Sequence, residues 1–118
     1  MSESAYDLFR EGQKRLRSGL TAQATVPLEK AKKLEPAKAS IREALGIAYF
    51  RLARWRDAER EFRTIVEELS PTDHYAHYAL GRALEQLGKT AEANGHYKLA
   101  SSMKPSSETY SSRILDLE

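Results

Sequence analysis

The feature that most restricts how this chain can fold is its internal period. Gly12, Gly46 and Gly81 stand 34 and 35 residues apart. Ala24, Ala58 and Ala93 repeat that spacing, as do Leu28, Phe62 and Tyr97, and Ala31, Ile65 and Ala100. Pro36, Pro71 and Pro105 close the units, 35 and 34 apart, so one extra residue precedes the second proline. A period of this length is that of a helix–turn–helix repeat, in which each unit buries its apolar face only by stacking on a neighbour.

The stretch Leu45 to Phe62 shows what one unit looks like. Leu45, Ala48, Tyr49 and Leu52 fall at i, i+3, i+4, i+7, one apolar face of a helix, and Ala58, Phe62, Ile65 and Leu69 form a second. Gly46 lies inside the first helix, where it costs roughly 1 kcal/mol relative to Ala, so a close approach by another backbone is expected there.

Taken in order, the chain predicts helix A1 over 4–18, stopped by Gly19, and B1 from Thr21 as N-cap. Pro27 is expected to kink B1 or delay its start. Lys30, Lys32 and Lys33 read as a solvated helix end that suits the macrodipole. A2 starts near 37–39 and ends near Ala53 or Arg54; B2 runs from about Asp57 to Leu69, with Glu59, Arg60, Glu61, Arg63 and Glu67 as its solvent face. Thr72 or Asp73 caps A3, which ends at Gly88. B3 runs from Lys89 or Thr90 to about Met103. Finally, Tyr110, Ile114 and Leu117 share one face of a short helix.

These residues resemble the tetratricopeptide repeat. Its signature sets a bulky residue, Leu-Gly, an aromatic, Ala, an aromatic, Ala and Pro at fixed offsets. The third unit matches with Leu80-Gly81, Leu84, Ala93, Tyr97, Ala100 and Pro105, and the second with Leu45-Gly46, Tyr49, Trp55, Ala58, Phe62 and Pro71. The first is weakest, with Glu11-Gly12 for Leu-Gly and Arg15 in the aromatic column. The resemblance implies an all-α fold: a right-handed superhelical stack of three antiparallel helix pairs, at about 5–36, 39–71 and 74–105. A capping helix at about 107–117 would complete a single domain over 1–118. It is specific for fold and unspecific for activity.

Composition narrows the function. With 41% hydrophobic and 31% charged residues, the 118-residue chain has the balance of a folded soluble domain. No apolar run approaches the ~20 residues of a membrane span, and the N-terminal stretch lacks a signal-peptide core. Cysteine is absent, which excludes disulfides and thiolate metal sites. Together these point to the cytoplasm. The net charge of +2 includes no run of five like charges, so neither nucleic acid nor membrane is expected as a partner.

His74 and His77 are i, i+3, a spacing that can bind metal, but no third ligand stands at a matching position, so packing or capping is expected and no metal or cofactor. His96 reads as exposed on the outer face of B3. Trp55 falls in the turn between A2 and B2, in the family's aromatic column, and reads as packing, as do Tyr49, Phe62 and Tyr97. No nucleophile–base motif, phosphate loop or paired-acid motif occurs, so no enzyme is expected.

One group resists a packing role. The resemblance implies that the A helices line a concave groove. Its faces would be Tyr6, Phe9, Arg10, Gln13 and Arg17 from A1, Glu43, Ile47, Phe50 and Arg51 from A2, and Tyr75, Tyr78, Arg82 and Glu85 from A3. Phe9, Ile47, Phe50 and Tyr78 are not required by the helix-pair core. Exposed aromatics and arginines in a concave strip are what peptide-binding surfaces use. The expectation is a non-catalytic adaptor or scaffold whose partner supplies apolar anchors and acidic residues. The alternatives are a self-associating subunit, the strip being filled by a second copy or by the capping helix, and a regulatory partner of an enzyme. The family's clamp for C-terminal carboxylates uses Lys, Asn and Arg; its columns here hold Phe9, Gln13, Ala44, Tyr75 and Ala79, so that clamp is absent.

Overall fold

The computed structural model describes residues 3–114. Its helices in order are α1 (Ala5–Arg17), α2 (Thr21–Leu34), α3 (Ala39–Arg51), α4 (Trp55–Thr64), α5 (His74–Gln86), α6 (Thr90–Met103) and α7 (Glu108–Arg113). A π-helical turn, Ile65–Leu69, extends α4. Among the described residues there is no strand. The first six helices form three antiparallel pairs stacked as a right-handed superhelix with α7 at the end. The stack measures 57 × 24 × 22 Å.

The repeating columns are the pairing contacts. Ala24, Ala58 and Ala93 are fully buried, and Leu28, Phe62 and Tyr97 fill the space between the two helices of each pair. A Cβ added at Gly46 would lie 2.6 Å from the Phe62 ring, and one at Gly81 would lie 2.6 Å from the Tyr97 ring. At Gly12 it would meet the Leu28 side chain at 2.4 Å. What presses on each glycine is therefore a bulky side chain of the second helix, not a neighbouring backbone. The missing methyl group is the socket for that side chain, which outweighs the helix-propensity cost.

Capping follows local chemistry. Ser4 Oγ accepts from Asp7 N at 3.0 Å, Asp73 Oδ1 accepts from Ala76 N at 3.0 Å, and Ser107 Oγ accepts from Tyr110 N at 3.3 Å. Thr21, expected as a cap, is instead the first helical residue, and Leu20 precedes it without a side-chain cap. The turns inside the first and third pairs use Gly19 and Gly88 at φ +78° and +77°, where the absence of a Cβ removes the steric penalty. The second pair puts Ala53 there, at φ 58°. α3 ends at Arg51, and α4 begins at Trp55 rather than Asp57, so Trp55 belongs to a helix and not to the turn.

Two sequence irregularities have local solutions. Pro27 sits inside α2 without delaying its start. Its missing N–H would have bonded the carbonyl of Gln23, four residues back; Arg15 Nη1 donates to that oxygen at 2.9 Å instead. Arg15 thus stands in the column that holds Tyr49 in the second repeat and Leu84 in the third, and its Nε donates to Glu11 at 3.0 Å. The extra residue before Pro71 is absorbed by the π turn, where Ser70 N donates to Ile65 O at 2.7 Å, an i→i−5 bond. A π turn is how a helix takes one inserted residue without losing register on either side.

Some residues read as solvated are not. Glu61 is 2% exposed and accepts from Lys32 Nζ at 2.8 Å and Arg42 Nη1 at 3.0 Å, joining α2, α3 and α4 across the first two repeats. Lys32 is half-buried and also pairs with Glu29, to which the Tyr49 hydroxyl donates. Arg42 Nε donates to Pro36 O at 2.8 Å. The surface periodicity of α4 placed Glu61 outward; stacking of the first repeat on the second covers it. His96 is likewise half-buried, with its Nδ1 3.0 Å from His77 Nδ1.

Candidate binding groove

The candidate groove is the side lined by the odd-numbered helices α1, α3 and α5. Two cavities lie there. The larger, about 310 Å³, is lined by Ile47, Phe50, Arg51, Phe62, Tyr75, Tyr78, Ala79 and Arg82. The smaller, about 240 Å³, is lined by Phe9, Gln13, Leu16, Arg17, Ser40, Glu43, Ala44 and Ile47. Ile47 is common to both. Of the thirteen residues expected in the groove, Tyr6, Arg10 and Glu85 line neither cavity. Tyr6 is 64% exposed, with the Arg10 guanidinium 5.8 Å from its ring centre. Glu85 Oε1 and the Tyr97 hydroxyl are both buried, and burial first, then the Glu85 carboxylate, push the Tyr97 hydroxyl up.

The aromatics are not free of the core. Phe9, Ile47, Phe50, Tyr75 and Tyr78 are half-buried and packed against it. Phe50 meets Trp55 edge-on at 4.9 Å, and Arg82 lies 4.9 Å above its face. Tyr78 stacks within reach of Tyr75, Tyr97 and Tyr110, at 6.2, 6.0 and 5.1 Å. The expectation that the core does not need these residues is therefore corrected: each has one face in the core and one on the groove.

Helix α7 closes one end of the strip. Tyr110 is 7% exposed, and its hydroxyl is 2.7 Å from His74 Nδ1 on α5. Ile114 is half-buried against the core, whereas Leu117 lies outside the described residues. The capping helix thus packs on α6 and also covers the end of α5.

Charges in the groove are left unmatched. Among the described residues, Arg17, Arg51, Arg82 and Glu43 form no ion pair, and Glu43 forms no hydrogen bond. Burial first, and then the Asp73 carboxylate, hold the Glu43 carboxyl above the usual carboxylate range. Burial and then Glu43 push the Tyr75 hydroxyl up. Among the described residues no group of three His, Cys, Asp or Glu side chains could hold a metal. His77 Nε2 lies 2.8 Å from Pro71 O, which only accepts, so Nε2 carries the proton and Nδ1 accepts from His96.

Antiparallel helix pairs stacked at a fixed period, with a concave groove on one side, define an α-solenoid of helix–turn–helix repeats. The family model "Tetratricopeptide repeat" matches residues 43–108, more than half of the chain, and the chain belongs to that family. No curated protein matches it. Several solved structures do. The first tetratricopeptide domain of Spaghetti (RPAP3), solved bound to the HSP90 peptide SRMEEVD, superimposes with a TM-score of 0.89 at 24% identity, over 97% of this chain and 90% of that one. MamA gives 0.89 at 24% identity, over 93% of this chain and 64% of that one. The tetratricopeptide domain of Arabidopsis OM64 gives 0.88 at 19% identity, over 93% and 90%. At these identities the likeness establishes the fold. No helix among the described residues is long and apolar enough to cross a membrane.

Proposed function

We propose that this protein is a non-catalytic, cytoplasmic adaptor that binds a peptide segment of a partner protein in its concave groove. The observation that carries the reading is the larger cavity, where Ile47, Phe50, Tyr75 and Tyr78 present apolar surface beside Arg51 and Arg82, neither of which pairs with a carboxylate among the described residues. An apolar anchor would seat on the aromatics, and an acidic neighbour would meet the guanidinium groups, which suit carboxylates. A peptide-bound tetratricopeptide domain of the same fold supports the groove as the place for a ligand. The chain's own clamp columns, Phe9, Gln13, Ala44, Tyr75 and Ala79, supply none of the family's clamp residues, so its ligand would be chosen by other contacts.

The test needs no mutation. A displayed library of random peptides is selected on the protein, and the best peptide is titrated into isotopically labelled protein. Shift changes are expected on α1, α3 and α5. Changes on α2, α4 and α6, or no enriched peptide, would refute the groove. A tight dimer at micromolar concentration, with its interface in the groove, would assign the strip to self-assembly instead.

A further inference from the structure

The groove holds two cavities, and the wall between them sets how a ligand can span it; this inference rests on the peptide-groove reading. Ile47 lines both cavities and so stands between them. Arg51 lies one turn further along the same face of α3 and lines the larger cavity. Its Nη1 reaches to 3.5 Å from Leu16 O of α1, and Leu16 lines the smaller cavity. Ile47 and Arg51 are therefore a ridge that divides the groove into two apolar seats. Phe50, Tyr75 and Tyr78 line the larger seat, and Phe9, Leu16 and Ala44 the smaller.

The seats lie in successive gaps between α1, α3 and α5, so they are about one helix spacing apart, roughly 9 Å. A backbone that fills both must present two side chains on one face at that distance. A β-strand repeats its face every two residues, at about 6.7 Å, or every four, at about 13 Å, and fits neither way. An α-helix covers the distance in about seven residues but sets another side chain of that face midway, onto the ridge. A polyproline II segment turns once in three residues with a rise of about 3.1 Å each, so residues i and i+3 share a face about 9 Å apart. We propose that the groove binds a partner segment in this conformation, with apolar anchors at i and i+3 seated in the two cavities. The two residues between the anchors cross the ridge. There the Arg51 guanidinium, which forms no ion pair among the described residues, favours Asp or Glu. The smaller cavity holds Arg17 and Glu43 together, so its own charges select neither sign.

The experiment selects the same random-peptide library on the wild type and on Ser40→Trp. Ser40 is exposed and lines the smaller cavity, so an indole there fills that seat without entering the core. Gln13→Phe fills it from α1, should act alike, and serves if Ser40→Trp melts early. Wild-type peptides are expected to carry apolar residues at i and i+3, with Asp or Glu enriched between them. Ala at either anchor of the best peptide should weaken binding to the wild type about tenfold. On Ser40→Trp one of the two replacements should cost nothing further, and the other still about tenfold. Selection on Arg51→Gln should keep both anchors and lose the acidic preference; an acidic preference that survives there overturns the ridge contact. A consensus with one anchor, or with anchors two, four or seven residues apart, overturns the paired seats and leaves the groove reading standing. An equal loss at both anchors on Ser40→Trp does the same. Failure to enrich any peptide on the wild type overturns both.

Discussion

Ala53 occupies the column of Gly19 and Gly88 and takes the same left-handed backbone, at φ 58°. An L side chain in that region costs roughly 1 kcal/mol relative to Gly, part of it returned because Gly loses more chain entropy on folding. Ala53→Gly is therefore expected to stabilise the fold by about 0.5 kcal/mol, read from the midpoint of urea unfolding. Glu61 is the opposite case, a position where change is costly. Its carboxylate joins α2, α3 and α4 through Lys32 and Arg42, and both cations keep some access to water, with side chains 23% and 16% exposed. Glu61→Ala should cost about 2 kcal/mol, less than a fully enclosed pair, where the stranded charge has no water to turn to. Equilibrium unfolding of the variant checks this, and an effect within error of zero would mean that the network contributes nothing.

At the scale of an element, α2 carries a proline its neighbours lack, and α1 carries the arginine that compensates. The guanidinium of Arg15 occupies the Gln23 carbonyl freed by Pro27. Arg15→Met alone should cost about 0.5 kcal/mol, the value of one exposed hydrogen bond whose acceptor water can then reach. In the background of Pro27→Ala the residue 27 N–H can take that carbonyl, and the cost of Arg15→Met should fall by about half. A double-mutant cycle measures the coupling, and strict additivity would show that the two sites do not interact. The π turn makes a similar case. Glu67 and Glu68 are exposed, and deleting Glu68 restores the spacing from Ile65 to Pro71 found in the other repeats. The deletion should leave the helical circular dichroism intact and shift the melting temperature by only a few degrees, whereas a deletion inside the regular part of α4 would rotate Ala58 or Phe62 out of the core.

For the whole molecule, the pH response comes from the contact between α5 and α6. His77 donates through Nε2 to Pro71 O, so its Nδ1 must accept from His96. Burial, then the His77 ring, hold His96 below its ordinary value of 6.5; Arg63 acts the same way, and Glu92 and Glu67 oppose it. A base held low in the folded state favours its neutral form there. Its contribution is full above about 6.5 and is lost as pH falls through that value, because the unfolded chain then takes up the proton first. Stability is therefore expected to fall between pH 7.5 and 5.5, and less steeply in His96→Gln. Glu43, held high, has the opposite sign: its penalty lies above the ordinary carboxylate range and is relieved by acid. Long-range nitrogen–proton correlation spectra at neutral pH should show His77 protonated at Nε2 and His96 at Nδ1; the reverse tautomers would refute the arrangement.

The fold class and the order of the helices were legible in the chain itself, because a period of 34 or 35 residues with small and large apolar residues in fixed columns satisfies only a stack of helix pairs. The extra residue before Pro71 was also visible, as was the absence of the family's carboxylate clamp. What the chain could not disclose depends on neighbours that stacking alone supplies. Glu61 and His96 lie on outward faces of their own helices and are covered by the adjacent helix. Phe9, Phe50 and Tyr78 look surplus to each pair yet wedge into the joint between pairs. Helical periodicity reports which face a residue takes within its own helix. Burial between repeats depends on the offset and tilt of one pair on the next, set by how the side chains of both interlock, and only the tertiary structure decides that.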